Sequence, residues 1–205
     1  DDWVHRIDGQ LVTSARAVLP AGVARSLWPD GSLRMGSGGD IWFGTAGGLY
    51  RFSTVKFSAD RPPEVMPTAR YTVDDGLAGN HISEIFEDSE GDVWVANVPA
   101  GAETLTIWRR RASRFEKMGA AQGLPASNQL GGFVEDTVGT VWARLREGGL
   151  VRIRENRATH FGIEHGLPAL VSALLIDRSG DLWIGGGDAV LRVRDASGDV
   201  IHPMP

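Results

Sequence analysis

The sequence predicts an all-β protein built as a β-propeller, on three observations. A motif of the form Asp-x-x-Gly-x-apolar-Trp stands at Asp88–Trp94, at Asp136–Trp142 and at Asp177–Trp183, with a looser version ending in Gly39-Asp40-Ile41-Trp42. The four motif tryptophans follow one another after 52, 48 and 41 residues, and four short strands every ~40–50 residues is the signature of a propeller blade. No apolar stripe with a 3.6-residue period runs for a useful length anywhere in the chain. One four-stranded unit cannot bury both faces of its sheet, so neighbouring units stack and share a core.

The elements follow in order, with strands lettered A (innermost) to D (outermost). Residues 3–13 read as a half blade: Trp3–Ile7 and Gln10–Thr13 flank Asp8-Gly9, a strong hairpin signal. They align with strands C and D, because Trp3–Ile7 matches Leu150–Ile153. The first whole blade spans approximately 22–73. It opens with the apolar run Val23–Trp28, continues through Ile41–Thr45 and Leu49–Phe52, and closes with Ala69–Val73. Segment 54–67, with Arg61-Pro62-Pro63 and Met66-Pro67, reads as an irregular insertion. The second blade, 81–117, takes His81–Phe86, Val93–Val95, Leu105–Trp108 and Arg114–Lys117. The third, 129–161, takes Leu130–Val134, Val141–Ala143, Gly149–Ile153 and Ala158–Phe161. The fourth, 170–202, takes Leu170–Ile176, Leu182–Gly185, Val190–Val193 and Val200–His202.

The motif residues are expected to be structural. Trp42, Trp94, Trp142 and Trp183 are wedges between blades, and Gly91, Gly139 and Gly180 supply positive φ in the turn from strand A to strand B. Asp88, Asp136 and Asp177 cap that turn by accepting backbone N–H bonds. One Asp recurring at one offset in three turns is scaffolding, so no catalytic or calcium-binding role is assigned to it.

Composition narrows the function. Hydrophobic residues make up 42% and charged residues 23%, which supports a packed core rather than disorder. Twenty-seven glycines at regular positions indicate many tight turns. A net charge of −5 gives no support for a nucleic-acid partner, and the run Arg109-Arg110-Arg111 with Arg114 reads as a charged strand edge. The absence of cysteine excludes disulfides, Cys-based zinc sites and a thiol nucleophile. No run of ~18 apolar residues is present to span a membrane. His5, His81, His160, His165 and His202 show no metal-ligand spacing, and His160 and His165 read as exposed rim residues. No phosphate loop, dinucleotide fingerprint or nucleophile elbow occurs. No cofactor, metal or catalytic residue is therefore expected.

Asp-x-x-Gly-x-apolar-Trp-x-Gly-Thr, then Gly-Gly-Leu-Tyr-Arg-Phe, then Tyr-Thr-x-x-Asp-Gly-Leu resembles the two-component regulator propeller repeat. Residues 39–52 and 71–77 carry the pattern closely, and the resemblance extends with departures over nearly the whole chain. Ala96-Asn97 and Ala143-Arg144 stand where Gly-Thr is expected, and Gly185-Gly186 keeps only the glycine. The resemblance implies the periplasmic or otherwise extracytoplasmic sensor region of a histidine kinase. In that family a β-sandwich, a membrane span and the kinase follow the propellers, so any membrane contact runs through those parts. It implies ligand sensing or protein contact without chemistry in the propeller, and in some relatives the stimulus is an oligosaccharide. The motif is also similar to the Asp-box of sialidase-like propellers, but there the glycine follows the Asp by two residues and here by three.

Half a blade plus four whole ones, in a chain opening Asp1-Asp2-Trp3, reads as an excerpt of a propeller of about seven blades. A closed four-bladed ring with a stray hairpin, or pairing of two chains through the open ends, are the alternatives. On the face formed by the D–A and B–C loops, the copies differ at Asn80, His81, Asn97, Asn128, Arg144, Arg146 and Asp188. These are the expected ligand-binding residues for a polar small molecule or oligosaccharide. The alternative functions are a protein–protein interaction scaffold and, less favoured, a propeller lyase or glycosidase.

Overall fold

The computed structural model describes residues 3–8, 11–19, 33–53, 55–97, 105–109, 112–125, 130–145, 148–187, 189–194 and 203–204. Nineteen strands are seen among them, in four four-stranded sheets and one three-stranded sheet. The four-stranded sheets are β3 (Leu33–Met35), β4 (Ile41–Thr45), β5 (Gly48–Phe52) and β7 (Ala69–Tyr71); β8 (Ile82–Glu87) to β11 (Arg114–Met118); β12 (Leu130–Glu135) to β15 (Arg157–Phe161); and β16 (Ala173–Ile176) to β19 (Pro203–Met204). Every neighbouring pair within them is antiparallel. The sheets have propeller-blade construction.

The turn from strand A to strand B explains the recurring motif. Gly39, Gly91, Gly139 and Gly180 all have φ between 79° and 84°, the left-handed region that glycine enters without steric cost. Asp88 Oδ1 accepts from the amides of Glu90 (3.0 Å) and Asp92 (2.9 Å). Asp136 does the same for Val138 and Thr140, and Asp177 for Ser179 and Asp181. The second carboxylate oxygen has a partner the sequence reading missed. It accepts from the indole Nε1 of Trp94 (2.7 Å), Trp142 (3.3 Å) or Trp183 (2.8 Å), six residues on. The Asp therefore fixes both the turn and the rotamer of the wedge.

Each motif tryptophan except Trp183 lies in a buried cluster shared with the following sheet. Trp42 and Leu49 pack with Ile82, Ile85, Val93 and Val95. Trp94 packs with Leu130, Phe133, Val141 and Ile153. Trp142 and Leu150 pack with Leu182, Ile184 and Val193. The Gly-Leu corners belong to these seams as well. Gly76, Gly123 and Gly166 each end a one-turn 3₁₀ helix in the left-handed region, and the next residue, Leu77, Leu124 or Leu167, is buried in the seam.

Several sequence-based expectations are corrected. The inner strand of the first four-stranded sheet is Leu33–Met35, paired to Ile41–Phe43, instead of Val23–Trp28, which lies outside the described residues. Val200–His202 also lies outside them, and the described outer strand of the last sheet is Pro203–Met204. Segment 54–67 contains β6 (Glu64–Val65), which pairs parallel to β2 (Leu11–Ala17). With β1 (Trp3–Asp8) it completes a three-stranded sheet, so the N-terminal hairpin carries a third strand and packs on Ile41, Tyr50 and Phe52. The third copy is also re-registered. Arg144 pairs with Leu150 as Gly44 pairs with Leu49, so Arg144-Leu145, and not Ala143-Arg144, occupies the Gly-Thr position.

Candidate functional site

The ends of the B strands and the starts of the A strands lie at one end of the sheets, opposite the Asp-capped turns. In β4 and β17 (Leu182–Gly186) the residue two after the Trp is glycine, and in β9 (Val93–Asn97) it is Ala96. In β13 (Val141–Leu145) it is Arg144. A guanidinium thus stands where the other copies keep a small residue.

The neighbouring backbone makes room for it. A Cβ added to Gly132, whose φ is +59°, would lie 2.9 Å from Arg144 Nε and 3.1 Å from its Cδ. A Cβ on Gly131 would lie 2.5 Å from Glu84 Oε2 and 3.8 Å from an Arg144 terminal nitrogen. The register of β12 against β13 shifts between Gly131 and Val134, so these glycines form an irregularity in the inner strand. Glu84, on β8 of the preceding sheet, accepts the Gly132 amide at 2.8 Å. In the β12 and β16 sheets, the residue four before the turn Asp is Gly132 or Ala173, where β8 has Glu84. A carboxylate and a guanidinium, both half-buried, are brought to one two-glycine gap across a seam. This arrangement offers one hydrogen-bond acceptor and one forked donor to a ligand entering beside the inner strands.

The other expected ligand residues are placed differently. Asn97 ends β9 instead of standing in the B–C loop, is fully buried, and donates its Nδ2 to the Gly79 carbonyl. Asn80 Oδ1 accepts the Val73 amide, so it ties down the 3₁₀ turn. His81 is half-buried, with Nε2 lacking a hydrogen-bond partner among the described residues. Asn128, Arg146 and Asp188 lie outside the described residues. His160 and His165 are exposed, as expected of rim residues, and His165 Nδ1 also accepts the Gly162 amide while its ring packs edge-on against Phe161. Glu84 was missed because a lone Glu on an inner strand carries no motif.

A second cleft, of about 590 Å³, opens at the turn end of the same two sheets and is lined in part by Asp88, Ser89, Glu135 and Glu155. Two of its carboxylates serve the fold: Asp88 caps its turn, and Glu135 accepts from both the amide and the hydroxyl of Ser89 at 2.7 Å. Burial is the main cause that pushes the Asp88 carboxyl above the usual range. The Trp94 and Asp92 hydrogen bonds act against this, and the charges of Asp92 and Glu135 add to it. Among the described residues no three His, Asp or Glu side chains are grouped to hold a metal ion. No described helix is long and apolar enough to cross a membrane.

Residues 76–98 match the two component regulator propeller family. No curated protein matches the chain. Among solved structures, the extracellular domain of BT4673 from B. thetaiotaomicron, assigned to a hybrid two component system, matches with a TM-score of 0.66 at 17% identity. That match covers 94% of this chain and 27% of that one. The corresponding domain of BT3049 from the same organism gives 0.63 at 17%, covering 91% and 27%. A catalytically inactive virginiamycin B lyase from Staphylococcus aureus, solved with quinupristin, gives 0.65 at 19%, covering 100% and 63%. The chain spans about a quarter of the length of the two sensor domains. At these identities the shared property is the fold, a β-propeller.

Proposed function

We propose that this chain is a non-catalytic sensing segment of a two-component receptor, exposed outside the cytoplasm, that binds a polar small molecule or oligosaccharide. The match at residues 76–98 and the fold shared with extracellular sensor domains support the setting. The observation that carries the site is the break in the repeat at Arg144, with Glu84 beside it and Gly131-Gly132 cleared for both. Scaffold positions repeat, and a charged pair replacing small residues at one seam serves something the other seams do not. His81, just before β8, would stand at the rim of this site, and Asn128, Arg146 and Asp188 stay as candidate ligand contacts from the sequence. Asn80 and Asn97 position it through the Val73 amide and the Gly79 carbonyl.

Calorimetric titration with panels of oligosaccharides, amino acids and small organic anions tests the reading. The expected outcome is a bound member whose affinity falls about tenfold or more in Arg144→Ala and Glu84→Gln, about 1.4 kcal/mol each. The thermal midpoints of both variants should stay close to that of the parent. Silence across the panels would overturn the ligand reading in favour of a protein-interaction scaffold. Turnover of a panel member, lost on changing a carboxylate or His on this face, would replace it with an enzyme.

A further inference from the structure

Four arginines are half-buried among the described residues, and three of them are engaged. Arg51, Arg152 and Arg192 each lie over a motif indole, that of Trp42, Trp142 or Trp183. Arg51 and Arg192 also hold the carboxylates of Asp40 and Asp181. Arg144 is the fourth. Among the described residues its guanidinium makes no hydrogen bond, ion pair or ring contact.

Glu84 is only partly used as well. Its Oε2 accepts the Gly132 amide, and its Oε1 accepts from no described group. The two charged groups reach one place without joining. A Cβ added to Gly131 would lie 2.5 Å from Glu84 Oε2 and 3.8 Å from an Arg144 terminal nitrogen. The Arg144 stem runs along Gly132, whose added Cβ would lie 3.2 Å from Cγ and 3.1 Å from Cδ. A side chain at either glycine would fill the space that the two groups share.

The charges decide what fits that space. A ligand that takes both groups out of water recovers the desolvation cost only by answering both. An uncharged sugar strips water from the guanidinium and returns no anion. A phosphate or sulfate answers Arg144 but sets its own charge against Glu84. A molecule with a carboxylate and an ammonium close together answers both. Its carboxylate takes the forked donors of Arg144, and its ammonium donates to Glu84 Oε1. The protein pair sums to zero charge, and so does such a ligand.

We infer that the ligand of this seam is a zwitterion of the α-amino acid class. This rests on the ligand site proposed above between the β8–β11 and β12–β15 sheets, and it fixes the chemistry of what fills it. An α-amino acid carries both charged groups on one carbon, which suits two protein groups that converge on one glycine.

Calorimetric titration of the full chain with the common L-amino acids is the test. Each binder is compared with its 2-hydroxy acid, which lacks the ammonium, and with its amide, which lacks the carboxylate. At least one amino acid should bind, and both analogues should bind about tenfold more weakly or worse. Glu84→Gln should erase the preference over the hydroxy acid, and Arg144→Gln the preference over the amide. The matched analogues read the parent protein, so that comparison does not depend on either variant folding. A hydroxy acid or amide that binds the parent as well as the amino acid does overturns the zwitterion. Amino-acid binding that both variants leave unchanged does the same. An oligosaccharide or simple organic anion that binds through Arg144 and Glu84 when no amino acid binds also overturns it, while the sensing reading stands. Silence to all of these probes overturns both.

Discussion

Asp88, Asp136 and Asp177 make the same three hydrogen bonds, yet their surroundings give two of them opposite titration behaviour. The Asp177 carboxyl is held below the usual aspartate range, first by the Trp183 indole, with the Asp181 and Ser179 amides and the Arg192 charge adding to it. Asp88 is raised, chiefly by burial. A depressed carboxyl contributes stability above its unfolded pKa and loses it as pH falls through the folded value. A raised one binds its proton more tightly when folded, so acidification favours the fold. Asp177→Asn should therefore flatten the acid loss of stability relative to the parent. The deficit of Asp88→Asn should widen as pH falls from neutrality. Denaturant melts at stepped pH read both slopes. The tryptophans differ by cover rather than by bonding. Trp142→Ala should cost about 3–5 kcal/mol, as for a buried aromatic. Trp183→Ala, at a partly exposed position, should cost less, about 1–2 kcal/mol. Equal losses in urea unfolding would show that Trp183 is packed as fully as Trp142.

The seams between sheets are not equivalent. Glu87 accepts from the amide and hydroxyl of Ser37 at 2.9 and 2.6 Å, and Glu135 does the same for Ser89. Each carboxylate ends an inner strand and clasps the turn of the preceding sheet with charge-assisted bonds. Between the β12–β15 and β16–β19 sheets the corresponding pair is Thr137 and Ile176; Thr137 keeps an amide and a hydroxyl to donate, but Ile176 has no carboxylate to accept them. The last sheet also lacks cover on its outer face. Sub-global opening should therefore begin there. In native-state hydrogen exchange, the amides of β17 and β18 (Ala189–Val193) should exchange before those of β9 and β13. Protection of β17 equal to that of β13 would contradict this order.

At the scale of the molecule, the repeat was the legible part. The Asp-x-x-Gly-x-apolar-Trp spacing located all four B strands, and the turn glycines have the φ their motif requires. These features are local, and a sequence displays local requirements openly. The inner strand Leu33–Met35 was hidden, because three residues without alternation look weaker than the apolar run Val23–Trp28. The pairing of β6 with β2 was invisible because it joins Arg16 to Glu64 across three intervening strands. The candidate site was half legible. Arg144 stood out as a departure from the copies, whereas Glu84 gains meaning only when the next sheet brings Gly132 to it.

The splice of β6 onto β2 also sets an order of assembly. Arg16 and Glu64 lie 48 positions apart, and their ion pair joins the earliest strands to a segment made only after β5. On a ribosome adding roughly 5–20 residues per second, the hairpin emerges first but must wait several seconds for its third strand. The core under Val4 and Ala17 closes after Ile41, Tyr50 and Phe52 have been laid down against it.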